Sequence, residues 1–216
     1  MEAILARRSI RAFRPEPVSR EVLSKVLELG TRAVSANNSQ PWQFAVVTGE
    51  MLERLKEHNL KALAEGSPPD RQEATYPEPY LRRGKEIGKQ LFAAMGIGRE
   101  DRERRNWWTE RGYRFFDAPA LILVYMDECL EETAAWFDLG CVTQNICQAA
   151  LVYGLGTCVE EQAVTFQKGL QSLLGLPDSA KLAYGIAIGY PDWDFPANQV
   201  VSRREPVDDI TRWYGF

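Results

Sequence analysis

The sequence has very little of the side-chain chemistry that most enzymes use for acid–base or metal catalysis. Its 216 residues contain one histidine, His58, and four cysteines, with no Cys-x-x-Cys pair among them. A three-histidine metal centre is therefore impossible, zinc sites built from paired cysteines lack their spacing, and we expect no metal. Because His58 lies in a polar, helix-like stretch, we expect an exposed histidine and not a member of a catalytic triad. If the protein is an enzyme, we expect its chemistry to come from something other than side-chain acid–base groups.

Long apolar runs and an excess of positive charge are also missing. No apolar run reaches the ~20 residues that a membrane helix needs. The short apolar stretch at the N-terminus is interrupted at once by Arg7 and Arg8, which is the wrong order for a signal peptide. We therefore expect a cytoplasmic protein with no membrane partner. The net charge of −4 argues against nucleic acid as a partner, and binding through the arginine-rich residues 65–117 is the alternative of that class.

The composition is that of a globular protein, with 45% hydrophobic and 26% charged residues. A folded monomer of 24.5 kDa exposes roughly 10,000 Å², so this chain can bury a substantial core without disulfide or metal staples. Hydrophobic periodicity predicts helices over 1–8, 19–30, 50–64, 80–95, 100–112, 131–153 and 165–174, and strands over 42–48, 118–126, 155–160 and 182–189. We interpret residues 1–216 as one α+β domain with a helical excursion, or lid over a pocket, at about 65–117.

Two apolar features exceed what one small domain needs. The predicted helix over 131–153 is apolar in every direction, and such a helix must be covered all round. The C-terminal stretch carries many aromatics that need a surface to bury them. These are Trp193, Phe195, Trp213, Tyr214 and Phe216. Both features favour a second subunit.

The N-terminal residues 7–14, Arg-Arg-Ser-Ile-Arg-Ala-Phe-Arg, concentrate four arginines and a serine in an acidic protein. Guanidinium groups fork onto phosphate oxygens, and a hydroxyl with free backbone N–H groups can complete such a cradle. A phosphate site and a solvated basic terminus are both open on charge alone. Near the C-terminus, Ser202-Arg203-Arg204-Glu205-Pro206 taken alone is a surface loop.

Two further stretches carry candidate binding chemistry. Residues 35–42, Ser-Ala-Asn-Asn-Ser-Gln-Pro-Trp, offer amide donors and acceptors that suit the edge of a heteroaromatic ring, with an Asx-rich turn as the alternative. Residues 154–161, Gly-Leu-Gly-Thr-Cys-Val-Glu-Glu, have two glycines but lack the third of a dinucleotide fingerprint and lead from helix into strand. The sequence therefore has no Rossmann site, and it has no P-loop motif either.

Together and in this order, these motifs resemble the FMN-dependent nitroreductase family. The resemblance rests on Arg-Arg-Ser-Ile-Arg-Ala-Phe at 7–13, Ser-x-x-Asn-x-Gln-Pro-Trp at 35–42, Gly-Leu-Gly-Thr-Cys at 154–158, Ile-Gly-Tyr-Pro at 188–191 and the terminal Arg204-Glu-Pro. It spans essentially the whole chain. The resemblance implies an α+β nitroreductase-like fold with a central mixed or antiparallel sheet surrounded by helices. It also implies an interlocked homodimer with exchanged termini and two FMN sites at the subunit interface.

The resemblance further implies roles for particular residues. Phosphate and ribityl contacts fall on Arg7, Arg8, Ser9 and Arg11, and Arg203 and Arg204 close the site from the C-terminus. Flavin contacts from the other subunit fall on Ser35, Asn38 and Gln40. Backbone beneath the isoalloxazine falls on Val159, Glu160 and Glu161, with the N–H of Glu161 at flavin N5. Gln162 departs from the family's pattern, which has glycine there.

The implied activity is a ping-pong reaction in which NADH or NADPH reduces the flavin and a nitroaromatic or quinone-type acceptor reoxidises it. No catalytic side chain is implied, because the flavin carries the chemistry. The alternatives are another FMN reaction on the same fold (reductive dehalogenation, enoate reduction or flavin fragmentation) and a flavin-binding module without turnover. Five aromatic residues could stack on a small aromatic acceptor, or pack in the core instead. They are Tyr76, Tyr80, Trp107, Trp108 and Tyr113.

Overall fold

The computed structural model describes residues 2–71, 75–130 and 132–216, and within these ranges the chain forms helices on both faces of one sheet. The helices are α1 (Glu2–Ala6), α2 (Arg20–Gly30), α3 (Gly49–Ala64), α4 (Tyr80–Ala94), α5 (Arg102–Tyr113), α6 (Glu132–Val152), α7 (Gln167–Leu174) and α8 (Val207–Ile210). The strands are β1 (Gln43–Thr48), β2 (Ala120–Asp127), β3 (Gly156–Glu160) and β4 (Ala180–Gly189).

The helices and strands predicted from periodicity are present, with ends that differ by a few residues. Helix α2 begins where Ser19 caps it, because the Ser19 hydroxyl accepts the N–H of Val22 at 3.3 Å. The first helix ends at Ala6, two residues earlier than predicted, since the chain then turns to pair Ser9 with Thr157 of β3. Residues 1 and 131 of the predicted helices, and 72–74 of the excursion, lie outside the described residues.

The sheet has the order β1-β2-β4-β3, and every neighbouring pair is antiparallel. Side chains alternate along β2: Ile122 and Val124 pack with α2 and α6, whereas Leu121 and Leu123 pack with α3 and α7. All four are fully buried because helices cover both faces, which explains why β2 is a continuous apolar run. The predicted α+β fold is confirmed, and its central sheet is antiparallel.

The N-terminal segment lies along the outer edge of β3. The Ile10 N–H donates to the Thr157 carbonyl at 2.9 Å, which extends the sheet by one short parallel contact. Close approach is possible because Gly156 has no side chain, and a Cβ there would collide with Ile10 and Pro191. The edge of β3 is thereby covered by the segment that carries the N-terminal arginines.

Asn198 ties this N-terminal segment to the C-terminal part of the chain. Its side chain is fully buried and accepts the Arg11 N–H at 2.6 Å. The same amide donates to the carbonyls of Ala12 at 2.8 Å and Asp192 at 2.7 Å. Two of these hydrogen bonds join Asn198 to the N-terminal segment and the third fixes its side chain within the C-terminal part, so one buried residue holds the two ends of the chain together.

The excursion at 65–117 packs against the rest of the chain through α4 and α5. Leu91 of α4 and Met95, which caps the C-terminal end of this helix, form a small apolar cluster with Ala197. On α5, Arg111 pairs with Asp117 at 2.7 Å and donates to the Arg11 carbonyl at 2.9 Å. Burial lowers the pKa of Arg111, with Asp117 acting in the opposite direction. Both helices therefore contact the terminal segments, and the function of the excursion as a lid remains a prediction.

Helix α6 is covered on most sides but not on all. Leu139, Val142 and Ile146 are fully buried beneath the sheet and α2. A stripe remains exposed along its length, with Phe137 66% exposed and Val152 71% exposed. No helix formed by the described residues is both long enough and apolar enough to cross a membrane.

The three hydrogen bonds of Asn198 predict a large stability effect. Asn198→Ala leaves the Arg11 N–H without its acceptor and removes one of the two hydrogen bonds to each of the Ala12 and Asp192 carbonyls, and the loss of the three bonds costs about 3 kcal/mol. In a chain of this size that loss lowers the Tm by about 6–12 °C, measured by circular dichroism or differential scanning fluorimetry. The exposed neighbour Gln199→Ala is the control and should change the Tm little. Equal Tm values for the two variants would contradict this account of the terminal junction.

Candidate functional site

A cavity of about 910 Å³ lies where the two ends of the chain meet helix α4. Its walls carry arginines from three separate parts of the sequence. They are Arg7, Arg8 and Arg11 from the N-terminal segment, Arg82 and Arg83 from α4, and Arg203 and Arg204 from the C-terminal segment. Among the residues that the structure describes, Glu86 and Glu205 are the only ones that supply carboxylates to the same walls, so this lining has a formal charge of +5. We call this the arginine cavity.

The arginine cavity brings together six of the residues singled out from the sequence. Arg7, Arg8, Ser9 and Arg11 line it with Arg203 and Arg204, although nearly two hundred positions separate the two groups. This convergence favours the anion-site interpretation of residues 7–14 over a solvated basic terminus. Such a concentration of guanidinium groups suits a phosphate-bearing ligand, because each can donate paired hydrogen bonds to phosphate oxygens. The individual contacts to FMN remain predictions.

The three residues predicted beneath the isoalloxazine lie at the end of β3, outside the arginine cavity. Val159 is 40% exposed and Glu161 is exposed, whereas Glu160 points into the protein. The backbone then forms a short 3-10 helix, Gln162–Val164. The side chain of Gln162 lies against α5 at Gly112, where a Cβ would collide with it. Gly112 thus leaves room for the side chain of Gln162, the residue that stands where the family pattern has glycine.

Glu160 is a buried carboxyl with no hydrogen-bond partner for either oxygen among the described residues. Its side chain is 5% exposed. Burial raises the pKa of Glu160 well above its ordinary value, and the nearby charge of Arg11 acts in the opposite direction. Two positions earlier on β3, burial also raises the pKa of the Cys158 thiol. Glu160 therefore keeps its proton to a higher pH than an exposed glutamate does.

Ser35, Asn38 and Gln40 form a separate, compact polar loop beside α6. The Ser35 hydroxyl accepts the Gln40 N–H at 3.1 Å, and the Gln40 amide donates to the Asn38 carbonyl at 3.3 Å. Asp138 of α6 anchors the loop by accepting the Ala36 N–H at 3.1 Å. Asn38 and Gln40 are exposed, and none of the three lines the arginine cavity of its own chain. Flavin contacts from this loop would have to be made across a subunit interface, as the resemblance implies.

The five candidate stacking aromatics divide into two groups. Tyr113 is buried and stacks on Phe166 with ring centroids 5.8 Å apart, and Trp107 and Trp108 pack in apolar clusters, as the core alternative predicts. Tyr76 and Tyr80 are 57% and 56% exposed. Only these last two present rings that a small aromatic acceptor can reach in this chain.

The expectation that His58 is exposed is wrong. The ring is half-buried, and its Nε2 lies 3.3 Å from the Phe166 carbonyl oxygen. Gly169 of α7 gives the ring its space, because a Cβ there would collide with it. His58 therefore joins α3 to α7. Within the described residues, no three histidine, cysteine, aspartate or glutamate side chains are grouped so that they could hold a metal ion.

Sequence reasoning did not assign Arg82, Arg83 or Asn198 to the site. The density of arginines in residues 65–117 was visible, but charge density does not say which arginines face a cavity. Arg83, Ile87 and Gln90 are spaced by four and three residues, so they share one face of α4, and all three line the arginine cavity. This spacing was the sequence signal from which the cavity-facing side of α4 could have been predicted. Asn198 gave no signal, because its partners are distant in sequence.

The fold and the cavity define an α+β protein with a site suited to a phosphate-bearing ligand. The Nitroreductase family model matches residues 4–190, and the chain belongs to this family. It is 35% identical over 215 residues to the nitrobenzene nitroreductase of Ectopseudomonas oleovorans, covering 97% of this chain and 94% of that protein. It is 29% identical over 217 residues to the 4-nitrobenzoate reductase of Pseudomonas putida, covering 99% and 94%.

Solved structures agree with this assignment. The FMN and NADPH-dependent nitroreductase NfnB from Sphigopyxis sp. strain HMH superposes with a TM-score of 0.95 at 31% identity, covering 100% of this chain and 98% of that one. The FMN-dependent nitroreductase NfnB from Mycobacterium smegmatis, solved in complex with NADPH, gives a TM-score of 0.92 at 29% identity, covering 99% and 96%. The family and the fold predicted from the sequence motifs are both confirmed.

The buried carboxyl of Glu160 predicts a pH-dependent stability difference. Because the folded protein holds this proton more tightly than the unfolded chain, stability is fully present below the ordinary glutamate pKa and declines as the pH rises towards the raised value. Each pH unit in that window costs at most about 1.4 kcal/mol, or about 3–5 °C in Tm. Glu160→Gln cannot titrate, so its Tm should rise relative to that of the unsubstituted protein between pH 5 and pH 8.

Thermal unfolding of the protein without added FMN measures this difference. The neighbouring Glu161→Gln is the matched control, because it makes the same substitution at an exposed position of the same strand end. A Tm difference for Glu160→Gln that stays constant across the pH range would show that its carboxyl does not titrate abnormally.

Proposed function

We propose that this protein is an FMN-dependent oxidoreductase that uses NADH or NADPH in a ping-pong reaction to reduce nitroaromatic or quinone-type acceptors. The observation that carries this proposal is the arginine cavity, formed by both ends of the chain. Family membership supports it, as do relatives described as reductases of nitrobenzene and 4-nitrobenzoate. The similar structures described as FMN- and NADPH-dependent support the choice of cofactor and reductant.

The residues of the arginine cavity fit the phosphate end of FMN. A phosphate monoester carries a charge of about −1.5 to −2 at neutral pH and offers three acceptor oxygens. The cavity supplies a formal charge of +5 and the hydroxyl of Ser9. Arg8 lies 5.5 Å above the Trp193 ring and Arg204 donates to the Ser202 hydroxyl at 2.7 Å, so both guanidinium groups are already partly positioned. When bound, FMN would supply the redox chemistry that links the nicotinamide to the electron acceptor.

The chain's own contribution is to bind and orient. The residues that would hold the phosphate and ribityl groups are Arg7, Arg8, Ser9, Arg11, Arg203 and Arg204, and the Glu161 N–H would contact flavin N5. No side chain of this chain is assigned as a proton donor or nucleophile. A sequence with one structural histidine suits a reaction in which the protein positions the cofactor and controls its surroundings.

The chain acts as one domain in this proposal, and helices α4 and α5 form the lid at about 65–117. Leu91, Met95 and Ala197 hold the lid to the C-terminal segment. The exposed rings of Tyr76 and Tyr80 are the lid's available contacts for an aromatic acceptor. The cytoplasmic location remains a prediction from the sequence.

The site is completed by a second copy of the chain. The protein exposes 13,203 Å², about a third more than the roughly 10,000 Å² expected of a monomer of its mass. Much of the excess is apolar: Phe137 on α6 is 66% exposed, and Trp213, Tyr214 and Phe216 of the tail are 61%, 78% and 103% exposed. A homodimer covers these surfaces and brings the polar loop of Ser35, Asn38 and Gln40 to the partner's flavin.

The absorption spectrum of the purified protein tests the function directly. We expect a yellow protein with the visible absorption band of a flavin, which NADH or NADPH bleaches under anaerobic conditions and a nitroaromatic restores. A colourless protein that takes up no added FMN would refute the proposal. Bound FMN that neither nicotinamide reduces would favour a binding module, and a panel of acceptors separates the other reactions of this fold.

Loss of one cavity arginine should weaken FMN binding without unfolding the protein. Arg11→Ala and Arg204→Ala each remove a charge-assisted hydrogen bond worth about 1.5–3 kcal/mol, so the Kd for FMN should rise about tenfold or more. Fluorescence titration of the apoprotein with FMN measures the Kd. The control is Arg212→Ala, an exposed tail arginine outside the cavity. Unchanged FMN affinity in both cavity variants would count against the phosphate assignment.

A composite site predicts complementation between two defective chains. Replacing Ser35, Asn38 and Gln40 together by alanine should abolish FMN retention although the arginine cavity is intact, because the partner's flavin loses its polar contacts. Arg204→Ala should also retain less FMN, because its own arginine cavity is defective although its polar loop is intact. Mixed dimers of the two, separated by affinity tags, contain one complete site and should bind about half the FMN of the unsubstituted dimer. A monomer by light scattering, or mixed dimers without FMN, would rule out a shared site.

A further inference from the structure

The arginine cavity contains more positive charge than one FMN phosphate neutralises. A phosphate monoester removes about two charges, whereas the lining carries a formal charge of +5. Both ends of the chain supply the five arginines assigned to the FMN phosphate and ribityl groups, Arg7, Arg8, Arg11, Arg203 and Arg204. Arg82 and Arg83 are additional, and they come from the lid helix α4. The surplus charge indicates that the cavity takes a second anionic group.

Arg82 and Arg83 are placed to meet a ligand and not to stabilise the core. Both are exposed at the first turn of α4, and the turn that follows presents Glu86 and Ile87 to the same cavity. Arg83 pairs through Nε with Glu205 of the C-terminal segment at 2.6 Å and lies over the Tyr80 ring at 5.4 Å. A guanidinium has further N–H donors besides Nε, so this ion pair orients Arg83 and leaves donors for a ligand.

We propose that Arg82 and Arg83 form a second phosphate subsite, which binds the 2′-phosphate of NADPH and makes the enzyme prefer NADPH to NADH. This inference rests on the proposed function, since it concerns the reductant of the same reaction. It goes further by assigning a selectivity for one of the two nicotinamides to two residues of the lid.

The 2′-phosphate is the anionic group that fits this surplus best. It is a monoester with up to two charges and three terminal oxygens, matching two adjacent guanidinium forks. NADH and NADPH share the same pyrophosphate bridge, in which two phosphates joined by an anhydride bond carry one charge each, so contacts to this bridge cannot distinguish the two reductants. Arginines that bind the 2′-phosphate must therefore change the ratio of the two reductants, and arginines that bind the pyrophosphate must not.

The test uses the FMN-loaded protein with Arg82→Ala, Arg83→Ala and the double variant. Lys85→Ala is the matched control, because it removes one positive charge from the same helix at an exposed position outside the cavity. Glu205→Gln is the second control, since it breaks the ion pair of Arg83 while keeping the arginine. FMN content is measured in every variant before any other comparison.

Two readouts decide the outcome. Steady-state kinetics should show the KM for NADPH rising about tenfold or more in each arginine variant, with kcat and the KM for NADH within about twofold of the unsubstituted enzyme. Calorimetric titration with adenosine 2′,5′-bisphosphate should show the same loss of affinity, whereas adenosine 5′-monophosphate should bind all forms alike. The bisphosphate titration needs no turnover, so it decides this inference even if the oxidoreductase activity is absent.

Four results would overturn the inference. An equal rise in the KM for NADH and the KM for NADPH would place the arginines at the pyrophosphate that the two reductants share. Loss of FMN in the double variant would place them in the cradle of the flavin phosphate. Unchanged affinity for the bisphosphate in all variants, or a loss equally large in Lys85→Ala, would show that α4 has no specific phosphate subsite.

Discussion

Electrostatic repulsion among the arginines of the cavity is the constraint on which the site depends. Seven guanidinium groups meet there against two carboxylates, and they come from three distant parts of the chain. Neutral interactions hold them together: the edge of β3 fixes the N-terminal segment, Asn198 fastens it to the C-terminal part, and an apolar cluster attaches α4. The fold thus holds positive side chains close together, and an anionic ligand bound among them would lower the free energy of the folded protein by reducing their repulsion.

The antiparallel sheet determines where this charge can gather. Strands β1 and β3 form the two edges of the sheet, and β2 is an inner strand buried on both faces. The N-terminal segment pairs with the free edge of β3. The same strand ends at Val159, Glu160 and Glu161, beside the cavity's N-terminal wall. Glu160 differs from its neighbours because its carboxyl is buried, and the charge that opposes the effect of burial on its pKa is that of Arg11, one of the cavity arginines. Charge at the strand end and charge in the cavity are therefore coupled.

The exposed apolar surface is the part of the chain that the proposed homodimer would cover. The stripe on α6, the tail aromatics and the loop of Ser35, Asn38 and Gln40 all lie outside the arginine cavity. In a single chain they have no common function. In a homodimer, the hydrophobic effect that covers the stripe would also deliver the polar loop to the partner's cofactor, so that folding, association and cofactor binding would share one driving force.

Local patterns were enough to predict most of the helices and strands: Ser19 marked the start of α2 as a cap, and a continuous apolar run marked β2. Charge alone left residues 7–14 open between a phosphate site and a solvated terminus, and the roles of Arg203 and Arg204 came from the family resemblance. Tertiary packing places Arg82 and Arg83 in the cavity, joins the termini through Asn198, buries Tyr113 and brings His58 to Phe166. These outcomes depend on contacts between distant segments, and a local spacing such as that of Arg83, Ile87 and Gln90 shows which residues share a helix face but not what that face meets.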